Sequence, residues 1–352
     1  MTAAVEATAA TGRPTAAMAT RRYAIAFVGV VVLALAVRVA YVLAVTRYLN
    51  DRFYDAFYYI GQSAVLANGG GFQTPVVGGA NALHPPLTAL VVTPATWLVG
   101  IGNGAVPQRI TMAVVGTLAV AAIGWLGTVV AGRRVGLIAA FLAAVYPNLV
   151  MPSGIVMSES LAALFTALVL VLTYRLLRAP TWVNAALLGL GCGAAALTRS
   201  ELIVYVPVLL VPAVLAARAV PWRARLALAA VGFVVAGVTV APWVVRNLAT
   251  FQDPTFLSTG DGGLLLGANC DATYHGDLLG AWSLPCSLGF QPSHDPSVES
   301  SRQDRQAITY MRHHLGRLPV VVAARVGRLW EVYQPFQTAR FDEGEGRPVE
   351  AS

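Results

Sequence analysis

The chain has 352 residues, of which 57% are hydrophobic and only 12% charged, about half the ~25% charge of a soluble domain, which excludes an ordinary soluble enzyme. It contains no lysine; all 24 basic residues are arginine and the formal net charge is +7. Before residue 300 those arginines flank apolar runs rather than cluster on a soluble face, so they report topology and exclude a nucleic-acid partner.

In chain order, residues 1–23 are Ala/Thr-rich with Arg13, Arg21 and Arg22, which predicts a disordered cytoplasmic N-terminus leading into an uncleaved anchor. Apolar runs near the ~20 residues needed to cross a bilayer occupy 24–45, 109–131, 158–178 and 225–245. Shorter runs lie at 87–101, 135–152, 182–198 and 202–217. The expected fold is an all-α polytopic membrane protein with about 7 to 8 transmembrane or re-entrant helices.

Arg175, Arg178, Arg218, Arg223 and Arg225 fill short loops, so the positive-inside rule places those loops and the N-terminus in the cytoplasm of a plasma-membrane protein. The loop 46–86 is then extracytoplasmic. Counting crossings requires one apolar run not to cross. The candidates are 87–101, with Pro94 inside it, and 135–152, interrupted by Tyr146-Pro147 and Met151-Pro152; of the two, 135–152 is expected to be re-entrant or broken. Arg38 lies two turns from the outer end of the first span, from where it is expected to snorkel.

A transmembrane module 24–247 is therefore followed by a polar extracytoplasmic segment 248–316. Residues 317–335 read as an amphipathic interfacial helix and 336–352 as a tail. Cys270 and Cys286 share the outer segment, 16 residues apart, where an oxidising compartment permits a disulfide; two free thiols are the alternative. Cys192 lies in a span as a packing residue.

Between Ala7 and Gln252 the only carboxylates are Asp51, Asp55, Glu159 and Glu201, which narrows any acid/base chemistry. The first loop holds two of them. Residues 53–66 have the spacing of a short surface helix with Asp55, Tyr59 and Gln62 on one stripe. Asp55 beside aromatic rings suits a general base; a solvated aspartate within an aromatic belt is the plainer reading. Gly69-Gly70-Gly71 reads as a turn. The prolines of His84-Pro85-Pro86-Leu87 restrict the backbone and aim His84 back at the loop, to contact an anion or metal or merely to start the next helix.

Glu159 opens a span at its outer end, where a carboxylate also suits the helix dipole. Arg199 precedes Glu201, so it either binds phosphate or pairs with that carboxylate. Arg246 and Asn247 close the last long span behind Trp243, as an interfacial anchor or a clamp on a lipid phosphate. No metal-ligand spacing, phosphate loop or Ser-His-Asp order is present.

Asp55-Ala56-Phe57-Tyr58-Tyr59, Gly69 to Phe72, His84 to Leu87, Tyr146-Pro147, Ser158-Glu159-Ser160, Thr198 to Glu201, Pro242 to Asn247, Ser258-Thr259-Gly260 and Gly267-Ala268-Asn269 together resemble the GT-C class of membrane glycosyltransferases. Within it the likeness is to the superfamily of dolichyl-phosphate-mannose protein mannosyltransferases and the aminoarabinose transferase. The resemblance implies a polyprenyl-phosphate sugar donor, a glycan, lipid or protein acceptor among membrane lipids, and an acidic base in the first outer loop. By motif position that base is Asp55, with Asp51 the fallback and Glu159 the second acidic position. Arg199 and Arg246 would hold the donor phosphate, with His84 where the aminoarabinose transferase has lysine, and Tyr59, Asn247 and Glu201 in support.

Relatives carry an acidic pair in the first loop, which leaves room for a divalent metal. This chain has Asp55-Ala56 instead. Relatives also continue with several spans beyond a stretch like Arg328-Leu329-Trp330, so the resemblance implies a C-terminally truncated chain. The expected reaction is inverting transfer of a sugar to an extracytoplasmic hydroxyl. A transporter or flippase of a lipid-linked sugar, and a non-catalytic lipid- or sugar-binding relative, are the alternatives.

Overall fold

The computed structural model describes residues 16–48, 55–75, 78–288 and 295–344. Asp51, the first 15 residues of the N-terminal segment and the last eight of the tail lie outside the described residues. The described chain is helical, with one isolated bridge between Gln73 and Ala80.

Thirteen helices of eight or more described residues organise it: α1 Ala16–Tyr41, α2 Asp55–Ala67, α3 Leu87–Val99, α4 Val106–Ala131, α5 Arg133–Val145, α6 Glu159–Arg178, α7 Trp182–Ala196, α8 Ser200–Ala216, α9 Trp222–Thr250, α10 Asp261–Ala268, α11 Pro296–His313, α12 Leu318–Leu329 and α13 Pro335–Gly344. Four segments are long and apolar enough to cross a membrane, Thr20–Thr46, Val106–Ala131, Glu159–Arg178 and Trp222–Thr250. They coincide with the four long apolar runs. Leu87–Val99, Trp182–Ala196 and Ser200–Ala216 are the shorter apolar helices. Pro207 and Pro212 lack the N–H that a regular ladder needs, and α8 accordingly passes from 3₁₀ through π to α geometry.

Small residues let the spans approach closely, as apolar solvent requires when burial supplies no drive between helices. A Cβ on Gly189 of α7 would collide with the Gly232 backbone of α9, and one on Gly193 would come within 2.7 Å of Thr239. Leu176, Leu188, Cys192, Leu210 and Leu228 fill the core around this contact.

The run expected to be broken is bent by 77° between Arg133–Val145 and Pro147–Gly154. The cause is local. Tyr146 turns to extended geometry, and Pro147 has no N–H to offer the carbonyl four residues back, that of Ala143. Arg38 supplies the missing donors: its NH1 bonds the carbonyls of Ala34 (3.2 Å) and Ala144 (3.1 Å), and its NH2 those of Ala143 (3.2 Å) and Leu149 (3.1 Å). The side chain is fully buried, so the expected snorkelling does not occur. Carbonyls orphaned by the break hold the guanidinium at depth, where irregular backbone must find partners inside the protein. Arg109 of α4, also fully buried, donates to the carbonyl of Thr46.

Beyond α9 the chain folds back over the ends of the spans. Trp243 Nε1 donates to the Leu257 carbonyl (2.8 Å) and Asn247 Nδ2 to that of Phe256 (3.1 Å). Cys270 and Cys286 are joined in a disulfide, with Cα atoms 6.4 Å apart. Arg328 of α12 reaches the carbonyls of Leu279 and Asp277. After it Leu329, Trp330, Val332 and Phe336 stand exposed.

Candidate active site

Helix α2 supplies the first wall of the site. Asp55 stands in its first turn, where the helix dipole favours a carboxylate. Tyr58, Tyr59 and Gln62 turn inward and are buried. Two sets of bonds fix the helix. Gln62 Nε2 donates to the Gly71 carbonyl (3.0 Å), anchoring the glycine turn, in which Gly69 has a left-handed φ of 80°. Ser63 Oγ lies 2.8 Å from Thr96 Oγ1, to which Gln108 Nε2 also donates (2.9 Å), tying α2 to α3 and α4.

His84 faces this wall. Its ring sits against Tyr58 and Tyr59, with centroids 5.0 and 5.1 Å apart, and its Nε2 is 3.3 Å from Asp55 Oδ1. The two prolines after it start α3, and Leu87 N donates to the Leu197 carbonyl (2.9 Å). That bond joins the loop to the end of α7, where Arg199 begins.

Arg199 is the centre of the opposite wall. Its Nε meets Glu201 Oε1 at 2.6 Å, and its NH1 meets Glu159 Oε1 at 3.1 Å and Ser158 Oγ at 3.3 Å. NH2 takes no partner among the described residues. Ser200 Oγ donates to Asp261 Oδ1 (2.9 Å) at the start of α10. Glu159, Glu201 and, through Ser200, Asp261 gather around Arg199, and the Asp55–His84 pair lies within electrostatic reach of this group.

Arg246 is engaged differently. Its NH1 donates to the Asn81 carbonyl and to Asn247 Oδ1, both at 2.9 Å, and its NH2 to the Phe72 carbonyl at 2.7 Å, with the guanidinium over Trp243 and Phe251. Three of its five N–H groups thus hold the first loop and its neighbour Asn247.

The electrostatics follow from these contacts. Burial pushes the Asp55 carboxyl up, but His84 and, more weakly, Arg199 outweigh it and leave the group below the usual carboxylate value. Its side chain is 51% exposed, so solvent screens much of this. Burial raises the Tyr58 phenol to about 12 and Tyr59 further, the latter helped by Asp55. Both are neutral walls at any physiological pH. Burial raises the Asp261 carboxyl, against the hydrogen bonds of Ser200 and Ser258 and with the charge of Glu201. The Arg199 guanidinium, although desolvated, is raised by Glu201 and Glu159.

No three His, Cys, Asp or Glu side chains gather as ligands among the described residues, which do not include Asp51. The sequence reasoning missed Asp261, because carboxylates are ordinary in a polar segment. Its one signal was position, directly after Ser258-Thr259-Gly260 and opening a helix.

The sequence model of the dolichyl-phosphate-mannose-protein mannosyltransferase family matches residues 83–245. Among solved structures the chain resembles the Archaeoglobus fulgidus oligosaccharyltransferase, both tethered through a disulfide to an acceptor peptide containing the NVT sequon and in the apo form. The TM-score is 0.50 for each, at 15% and 17% identity, over 87% and 88% of this chain. The chain spans 38% of that protein's chain in each of the two structures. No curated protein matches it. The fold is therefore that of the GT-C membrane glycosyltransferases, and the segment from the loop histidine to the end of the last long span carries the sequence pattern of the dolichyl-phosphate-mannose-protein mannosyltransferases.

Proposed function

We propose that this chain transfers a sugar from a polyprenyl-phosphate donor to the hydroxyl of an extracytoplasmic glycan, lipid or protein acceptor, with Asp55 as general base. The observation that carries the reading is the Asp55–His84 contact, set against two buried tyrosines and within electrostatic reach of Arg199. A carboxylate held ionised there is always available to accept a proton. The His84 ring stands beside Oδ1 at ion-pair distance and leaves Oδ2 for the incoming hydroxyl.

The step balances without a metal. The acceptor O–H proton passes to Asp55 as its oxygen attacks the anomeric carbon. The bond from that carbon to the phosphate oxygen breaks, and polyprenyl phosphate leaves with the electron pair. A single in-line displacement inverts the anomeric centre. Arg199 NH2 is placed to stabilise the charge developing on the phosphate, while Glu159 and Glu201 fix the guanidinium plane. Arg246 bonds chiefly to loop carbonyls, so its part is to hold the loop that carries His84. Tyr58 and Tyr59 exclude water from the donor.

The test is transfer from a labelled polyprenyl-phosphate sugar in membranes or nanodiscs. Asp55→Ala and Asp55→Asn should each lower the rate by about 10²- to 10⁴-fold while folded protein is retained. Wild-type-like transfer by both variants would sink the assignment. Donor binding without turnover in the unaltered protein would favour the non-catalytic relative. The bend near Pro147 lends no support to a transporter, since Arg38 closes it onto backbone carbonyls.

A further inference from the structure

Glu159 has a second face. Its Oε1 is held by Arg199, whereas its Oε2 is buried and has no hydrogen-bond partner. A cavity of about 160 Å³ lies between α1, α4, the broken segment and α6, and Glu159 lines it. Ser160, 4% exposed, and Arg38, fully buried, line it as well. Each keeps one buried polar atom without a partner, Ser160 Oγ and Arg38 Nε. Most of the remaining wall is apolar, including Ala119, Val120, Ile123, Leu149 and Ala163.

Water alone does not suit this space. At about 10–15 Å³ each, several waters would fit, yet each needs about 2 to 4 polar partners, and apart from the exposed Asn148 the lining offers three buried side-chain atoms without one. An anion is opposed by the Glu159 carboxylate, and Arg38 has already committed NH1 and NH2 to four carbonyls. A cation would face the Arg38 charge at depth. The chemistry that remains is an uncharged head that both donates and accepts, carried on an apolar chain.

We infer that this cavity binds a membrane-borne long-chain alcohol, whose hydroxyl donates to Glu159 Oε2 and accepts from Ser160 or Arg38 while its chain lies along Ala119, Ile123 and Ala163. The site is on the far side of Glu159 from Arg199, and it goes beyond the transferase reading, because binding here requires no turnover.

Photolabelling tests it. The full chain in nanodiscs is exposed to a long-chain primary alcohol bearing a mid-chain diazirine, and in parallel to the same chain ending in a phosphate monoester. The alcohol should label peptides from 106–131 and 147–178 saturably, with competition by unlabelled alcohol, and the phosphate ester should not. Filling the cavity with Ala119→Leu or, at a less buried position, Ala163→Leu should lower the labelling about tenfold. Asp55→Ala should leave it unchanged, which separates this inference from the catalytic one. Labelling that does not saturate, that survives both filling variants, or that is equal for the phosphate ester would overturn the proposal.

Discussion

Two arginines of this chain, Arg38 within an apolar run and Arg199 between two such runs, are treated oppositely by the fold. Arg38 is fully buried and its NH1 and NH2 groups end on main-chain carbonyls around a broken helix. Arg199 is half-buried and ends on carboxylates, with one terminal nitrogen left over. The first guanidinium has been consumed by the backbone; the second is held in place by its partners with donors to spare. Arg246 lies between them, with two bonds spent on a loop, one on its neighbour Asn247, and its side chain over two rings.

The contrast is broken most severely at Arg38. Arg38→Met keeps an apolar side chain of similar reach but strands the carbonyls of Ala143 and Ala144, each at about 1–3 kcal/mol when buried, and leaves that of Leu149 to Ser153 Oγ alone. The expected outcome is loss of most folded protein in detergent, read by thermal unfolding and by size-exclusion yield. Unchanged stability would mean that the bent segment finds other donors. Asp55 variants come next, with the large rate loss described above and no such loss of folded protein.

Arg199→Lys sharpens the other half of the comparison. Lysine keeps the charge but not the planar fork that engages Glu201, Glu159 and Ser158 together. Transfer should fall about 10- to 10²-fold with melting temperature nearly unchanged. If instead the protein unfolds while residual turnover is normal, Arg199 is a structural ion pair. Arg246→Ala should do less to the chemical step and more to the loop, raising the apparent KM for donor and exposing the loop 72–82 to proteolysis.

The sequence made some of this legible and hid the rest for identifiable reasons. The four long spans follow from runs of apolar residues, which the bilayer demands wherever a helix crosses. The break near Tyr146-Pro147 follows from proline's missing donor, a property of one residue. Asp55 and His84 could be picked out because only four carboxylates and one histidine lie between Ala7 and Gln252. The fate of Arg38 was not readable, since snorkelling and burial differ only in whether orphaned carbonyls, 105 to 111 residues away, reach it first. Asp261 was hidden by company, and its bond to Ser200 exists only once α10 folds back over α8. Nor could the sequence choose between phosphate and Glu201 for Arg199, and the fold shows that pairing with Glu201 leaves NH2 open.

The smallest effect expected is the most specific to the Asp55–His84 contact. Burial by itself would raise the Asp55 carboxyl, and it is His84 first and Arg199 second that bring the group below its ordinary value. A carboxylate depressed in this way contributes stability above the unfolded-state value of about 3.9, and that contribution is lost as pH falls through the folded-state value. Because the side chain is 51% exposed, the stability change is small and screened. The rate is the better reporter. In the native protein the acid limb of kcat/KM assigned to Asp55 should lie below the ordinary carboxylate range. In His84→Ala the opposing effect of burial is no longer offset by the imidazole, so the limb should move to higher pH. Arg199→Lys retains the charge and should move it less. A limb that stays in place without the imidazole would show that His84 only begins α3, and that Asp55 owes its ionised state to solvent alone.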